Sequence, residues 1–484
     1  MLTLIVFLPL VGAALCALLP KDRPTWPRWV ATAITAVDLA LVSWVIANFR
    51  AGGGYQFAEK FAWVPSVHIN YSMAVDGISL PLLFLSALLS LLAAVASFKI
   101  DNKPKFYFAM LLLLQVGMNG VFLALDFILF YVFWELVLVP MYFLIAQWGG
   151  ERREYASLKF FLYTLLGSVF MLVGIIALYL KTGTFDIVKL TLIGRMLPPG
   201  FQWWVFLAFF LGFAVKVPMW PLHTWLPDAH VEAPTAASAL LAGVLLKMGT
   251  YGFLRVSLPI LPDAFASWRW FLAVLAMISI LYGAIVAFAQ TDLKKLVAYT
   301  SVSHMGFAML GIAAGTAVGI NGAMAVNFSH GLTTGLLFFL VGMVYERAHT
   351  REIAKISGLA GQIPVIAGIL AFSAFASMGL PGLSGFVGEF LSLLGAWQSD
   401  LTRWVVMASG FGVLLGAAYI LWMIQRVVLG QPSHAIADAG DASPRELLVA
   451  APLVILTIAI GLNWDLLLRY VDPAARALAR IVGV

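Results

Sequence analysis

The sequence predicts an all-α polytopic membrane protein of about fourteen transmembrane helices, with two inverted five-helix repeats and broken helices at the seventh and twelfth positions. Three observations carry that prediction. Hydrophobic residues fill 62% of the 484 positions and charged residues only 11%, and the mean hydropathy of +0.97 leaves no room for a sizeable soluble domain. Proline and glycine interrupt two apolar runs at matching places. Glu135, Lys216, Lys247 and Glu389 sit deep inside apolar stretches, where a charge costs at least about 2.5 kcal/mol unless it faces a protein or water-lined interior.

A spanning length of about 20 residues places helices near 2–19, 29–48, 78–98, 106–125, 127–147, 157–180, 203–217, 233–254, 270–289, 295–314, 320–344, 364–398 (interrupted), 404–429 and 447–463. The first run lacks a basic leader and reads as a retained helix. Cys16 is the single cysteine, which excludes an internal disulfide and a cysteine-held iron–sulfur or zinc site within this chain. The net charge of +6 resides mostly in loops and tails and calls for no nucleic acid. Lysine and arginine favour the odd-numbered loops, among them Lys21, Lys99, Arg152, Arg153, Lys294 and Lys295. Those loops are expected in the cytoplasm and both termini outside. Lys181, Lys189 and Arg195 run against the bias, in an even loop.

GSVFMLVG at Gly167 to Gly174 returns as GLLFFLVG at Gly335 to Gly342, 168 positions on. Glu135 and His304 are 169 apart, and Pro218 in the first break and Pro381 in the second are 163 apart. Five helices separate equivalent positions, and an odd number inverts the second unit. The expected division is therefore residues 1–105 for helices 1–3, 106–256 for helices 4–8, 257–430 for helices 9–13, and 431–484 for a loop and helix 14. Matched breaks free backbone groups that lipid cannot satisfy, and beside Lys216 and Glu389 they predict a hydrated transport site at mid-membrane depth.

Histidines supply the remaining relay groups, because a pKa near 6.5 lets small environmental changes alter their charge. His304 and His330 stand inside apolar helices, and His223 follows the first break. His68, His230, His349 and His434 read as loop residues. Asp126, Asp228, Glu232, Arg255, Glu346 and Arg347 read as helix-end or packing charges. No histidine pair has metal-ligand spacing within one helix.

The stretch VKVPMWPLHTWLPDAHVEAPTAASALLAGVLLKMGTYGFLR, with FWELVLVPMY before it and SVSHMGF, NFSHGL and GLPGLSGFVGEF after it, resembles the signature of the proton-pumping antiporter family. That family comprises large membrane subunits of respiratory complex I, Mrp-type cation/proton antiporters and membrane subunits of related hydrogenases. Glu389 stands where the L and N subunits of complex I carry lysine, so within the family the likeness is to the M (chain 4) type. The resemblance implies a proton-translocating subunit of NADH:quinone oxidoreductase in a bacterial inner membrane, beside antiporter-like subunits L and N. It implies no cofactor in this chain, with FMN, iron–sulfur clusters and quinone in partner subunits. It assigns Glu135, Lys216, Lys247 and Glu389 to proton translocation, with His223, His304 and His330 on the axis between them. Glu135 and Lys216 are then expected to form a switchable ion pair. An Mrp-type Na⁺/H⁺ antiporter subunit and a hydrogenase-linked membrane subunit are the alternatives.

Overall fold

Among the described residues twelve helices are long and apolar enough to cross a bilayer, from Trp26–Asn48 to Pro444–Leu462, and Leu2–Leu18 and a broken pair complete the apolar set. Fourteen spans fit this arrangement. The structure is a computed structural model that describes residues 1–20, 23–433, 436 and 440–483; Lys21 and His434 lie outside the described residues. Five spans, Ser79–Lys99, Pro104–Leu123, Thr235–Ile260, Leu293–Ala314 and Ala317–Ala348, are enclosed by the others and form the core. Leucine, alanine and glycine dominate them, and small residues let helix backbones approach closely. A Cβ on Gly388 would stand 2.4 Å from the Val326 amide nitrogen, where Ser384–Gln398 crosses Ala317–Ala348. Gly388→Val is expected to force these helices apart at a cost of about 1–3 kcal/mol or more, read as a several-fold loss of assembled complex on native gels.

Both predicted breaks are present, with shifted edges. The seventh span is the helix Pro199–Lys216, an irregular turn, and a second helix Trp225–Glu232. Pro218 lacks the donor needed to continue the first half. The freed groups are recovered locally: Trp225 Nε1 donates to Val215 O at 2.9 Å, and the Trp220 amide donates to Ser279 Oγ at 2.9 Å. The twelfth span splits into Pro364–Ser377 and Ser384–Gln398. Gly379 and Gly382 take φ of +79° and +91° between the halves, a conformation that glycine adopts without penalty.

A duplicated pattern links the two halves of the chain. Asp126 caps the helix that begins at Phe127, and the chain beside it exchanges backbone hydrogen bonds with Phe185 and Ile187. Asp292 caps the helix that begins at Leu293, and its neighbours exchange the same bonds with Arg351 and Ile353. Every equivalent pair is 166 positions apart. The Asp126 bridge lies among the even loops and the Asp292 bridge among the odd ones, so the two are inverted. At that spacing the counterpart of Glu135 is Ser301, one turn before His304, rather than His304 itself.

Two elements were not expected from hydropathy. The second loop forms an antiparallel hairpin of β1 (Gln56–Val64) and β2 (Ile69–Val75). Its Glu59 binds the N-terminal ammonium and the amides of Leu2 and Thr3, which ties the first helix to the even-loop face. A C-terminal helix, Asp465–Val482, buries Leu467, Val471, Ala475 and Ala479 on one stripe and leaves its arginines outside. It lies along the same face, where Asn321 donates to Asp472 at 2.7 Å. Beneath it Arg255 pairs with Asp76 at 2.5 Å. Burial alone would raise the Asp76 carboxyl, and the guanidinium reverses this and holds it below the ordinary carboxylate range. The charges read as structural do have partners. Arg347 meets Glu446, Lys99 meets Glu346, Lys159 meets Asp228, and Glu232 accepts from the Arg152 amide.

Candidate functional site

Lys247 sits in the enclosed span Thr235–Ile260, which is not a uniform helix. A π-helical turn at Leu241–Leu245 precedes the lysine, and such turns loosen carbonyls from the regular ladder. Lys247 Nζ takes the Ala242 carbonyl that this turn leaves free, and it stands 2.6 Å from His330 Nδ1. His330 belongs to the neighbouring span Ala317–Ala348, and its ring centre is 5.8 Å from that of His304. His304 in turn contacts Glu389 Oε1 through Nδ1 at 2.8 Å and Ser377 Oγ through Nε2 at 3.0 Å. The partner that Glu389 lacks in its own sequence neighbourhood is thus a histidine from the tenth span. Three helices and the second break place Lys247, His330, His304 and Glu389 in one buried line of two hydrogen-bonded pairs, with the two histidine rings adjacent between them.

One of its members, Glu389, and the His304 partner Ser377 flank the break. Ser377 is the last residue of the first half-helix, and Glu389 lies in the second turn of the other half. A Cβ at Gly379 would approach Glu389 Oε2 to 3.1 Å, so the glycine keeps the turn close against the carboxylate. Such a line is made of groups that can each carry or give up a proton, the chemistry a relay needs.

Glu135 and Lys216 form a second group. They are not in contact: among the described residues no ion pair joins them, and Glu135 Oε1 and Lys216 Nζ are each shut from water without a hydrogen-bond partner. Lys216 Nζ instead lies 5.5 Å from the Trp134 ring centre and 5.8 Å from that of Phe160, a cation–π setting. The field of Glu135 still reaches Lys216. His223 joins neither group. It is buried in the first break between Tyr282, at 5.0 Å, and Tyr299, at 6.4 Å, with both ring nitrogens unpartnered.

His230 is not the loop residue that its polar surroundings suggest. It lies fully buried on the short helix Trp225–Glu232, stacked on Phe338 with ring centres 4.5 Å apart and both nitrogens unpartnered. The charges of Lys294 and Lys247 both reach it. Lys294 is buried too, held by the carbonyls of Val231 and Ala233 at 3.4 and 2.5 Å. It borders a cavity of about 680 Å³ on the odd-loop face, lined also by Arg152, Glu232, Asp292 and Arg351. His68 and His349 are exposed loop residues, as read.

The family model described as "NADH:quinone oxidoreductase/Mrp antiporter, TM" matches residues 124–416, and "NADH-ubiquinone oxidoreductase chain 4, amino terminus" matches residues 1–123. The NADH-quinone oxidoreductase subunit M of Rhodobacter capsulatus is 44% identical, with 99% of this chain and 96% of that protein covered. A chain of respiratory complex I from Thermus thermophilus superposes with a TM-score of 0.91 and 34% identity, covering all of both chains. The Mrp complex of Dietzia sp. gives 0.85 with 23% identity, 99% of this chain and all of that one, which shows a common fold. The chain therefore belongs to the NADH:quinone oxidoreductase/Mrp antiporter membrane family, in its subunit M (chain 4) branch.

Proposed function

We propose that the chain is the proton-translocating membrane subunit of an NADH:quinone oxidoreductase, which couples quinone reduction elsewhere in the complex to proton movement through its buried axis. The observation that carries this reading is the buried series in which Lys247 meets His330, the His330 and His304 rings lie 5.8 Å apart centre to centre, and His304 meets Glu389. Each contact names a proton position. Lys247 Nζ gives to His330 Nδ1, the unpartnered His330 Nε2 faces onward release, and His304 Nδ1 delivers to Glu389 Oε1.

Glu135 and Lys216 act as the switch ahead of this line. Two unit charges about 4 Å apart at an effective dielectric near 20 attract by roughly 4 kcal/mol. Closing the pair therefore holds a proton on Lys216, and opening it releases that proton toward Lys247. The unpartnered atoms of both residues correspond to the open arrangement. Protons enter from the odd-loop cavity past Lys294 and His230. The odd-loop face is cytoplasmic, and both termini lie outside a bacterial inner membrane, as the loop charges favour. The residue ranges 106–256 and 257–430 form the inverted repeats, supported by the duplicated bridges at Asp126 and Asp292. Antiporter-like subunits L and N flank the chain, and FMN, iron–sulfur clusters and quinone belong to partner subunits.

The test is NADH-driven proton uptake in inverted membrane vesicles, comparing wild type with Glu135→Ala at equal levels of assembled complex. Both electron transfer and pumping are expected to fall. If NADH activity and pumping persist while sodium tolerance is lost, the chain is an Mrp-type antiporter subunit instead.

A further inference from the structure

A second buried polar cluster lies away from the axis, among the first four spans. Asp38 is twelve residues from the start and ten from the end of the helix Trp26–Asn48. At about 1.5 Å per residue that is mid-span. It is fully enclosed, and the charge argument that singled out Lys247 applies to it equally. Its surroundings are unlike those of the axis residues, because among the described residues no cation pairs with it. Span two packs against Leu2–Leu18, Ser79–Ala96 and Pro104–Leu123. Across those helices the titratable side chains are Cys16, Lys105 and Tyr107, all near the odd-loop ends. On its own helix there is only Arg28, which pairs with Asp101 at the same end.

The hydrogen bonds around Asp38 are lopsided. Oδ2 accepts from Gln115 Nε2 at 2.7 Å and from Asn119 Nδ2 at 3.1 Å. Asn119 Oδ1 accepts from Ser86 Oγ at 2.7 Å. Three other oxygens of the same layer have no partner: Asp38 Oδ1, Gln115 Oε1 and Ser90 Oγ. Ser86 and Ser90 are one turn apart on one helix, as are Asn119 and Gln115 on its antiparallel neighbour. The Ser86–Asn119 bond therefore sets Ser90 at the level of Gln115. A carboxylate oxygen and an amide oxygen are acceptors only, and buried acceptors left without donors are costly. One proton resolves the arrangement. On Asp38 Oδ1 it removes the uncompensated charge and turns one of the unpartnered acceptors into a donor.

We propose that Asp38, with Gln115, Asn119, Ser86 and Ser90, is a proton-binding site separate from the translocation axis, occupied in the resting protein so that Asp38 is an un-ionised carboxylic acid. The competing occupant is an alkali cation. It would find three free oxygens here and two amide N–H groups already aimed at the carboxylate, a set that suits a proton better.

Infrared spectra of the purified complex, recorded for wild type and Asp38→Asn, test the assignment. The asparagine keeps the shape and supplies a donor where the acid proton would be, so normal assembly and NADH-driven pumping are expected, with loss of one un-ionised carboxylic C=O band. A second measurement is heat inactivation against pH. An acid protonated in the fold binds more protons there than in the unfolded chain, so stability falls as pH rises. Wild type should lose resistance relative to Asp38→Asn with rising pH, by up to tenfold in the unfolding equilibrium per pH unit for one proton. A wild-type-minus-variant spectrum that contains only carboxylate stretches overturns the proposal. So does wild-type heat resistance that depends on sodium over choline chloride and is lost in Asp38→Asn, which assigns the site to a cation.

Discussion

Lys247→Ala is expected to reduce NADH-driven proton uptake by about 10²-fold or more at equal levels of assembled complex, in the range seen when a proton-transfer group is removed. The physical reason is position. Among the described residues Lys247 Nζ is the side-chain hydrogen-bond partner of His330 Nδ1, and alanine leaves that nitrogen facing a void. Lys247→Arg separates two roles that alanine removes together. Arginine keeps the positive charge but does not give up its proton in a protein, so a relay role predicts that the arginine variant also fails. If Lys247→Arg pumped with the wild-type proton-to-electron ratio, Lys247 would be an electrostatic element and not a carrier. The variant's larger head also has to fit beside Ala242, so assembled complex is quantified first on native gels.

The axis was legible in the sequence because its members break a strong local rule. Lys247 in LLAGVLLKMGTYG and Glu135 in VFWELVL are conspicuous against apolar neighbours, and a charge in such a place needs a function or a partner. Connectivity was not legible. Nothing in the spacing of 247, 330, 304 and 389 says that the four side chains touch; that follows from how the eleventh span crosses both the eighth and the broken twelfth. The expected Glu135–Lys216 pair shows the same limit, since residues 81 positions apart share a field without a contact.

His230 reads as a loop residue for a different reason. PLHTWLPDAHVEAP has the proline and polar content of a loop, whereas the chain uses it as the second half of a broken span, where prolines at helix starts are tolerated and polar residues line the interior. Lys294 reads as a topology charge because it stands at a helix start, yet Ala233 and Val231 draw its head inside. Asp38 meets the same criterion as Glu135 but is inconspicuous, because a single aspartate in WPRWVATAITAVDLALVSWVIAN scarcely lowers the hydropathy of the window. The C-terminal helix escaped for the opposite cause: its mean hydropathy is low, and only the four-residue period of Leu467, Val471, Ala475 and Ala479 reveals an interfacial helix.

Glu389→Gln tests the far end of the axis. Glutamine preserves the volume and can still hydrogen-bond to His304 Nδ1, so the second break and the packing around Gly379 are retained. It cannot take or release a proton near neutral pH. NADH-driven pumping is therefore expected to fall by about 10²-fold or more while the complex assembles normally. Glu389→Asp restores the chemistry and draws the carboxyl back by roughly 1.5 Å, one carbon–carbon bond, which lengthens the His304 contact past an ordinary hydrogen bond. An intermediate rate is expected for it. The ordering wild type, aspartate, glutamine is the signature of a proton acceptor, because a purely structural role would favour glutamine, the better match in size. Should Glu389→Gln pump with an unchanged proton-to-electron ratio, protons leave the line at His304, and its second contact, Ser377 Oγ at 3.0 Å, marks the direction they take.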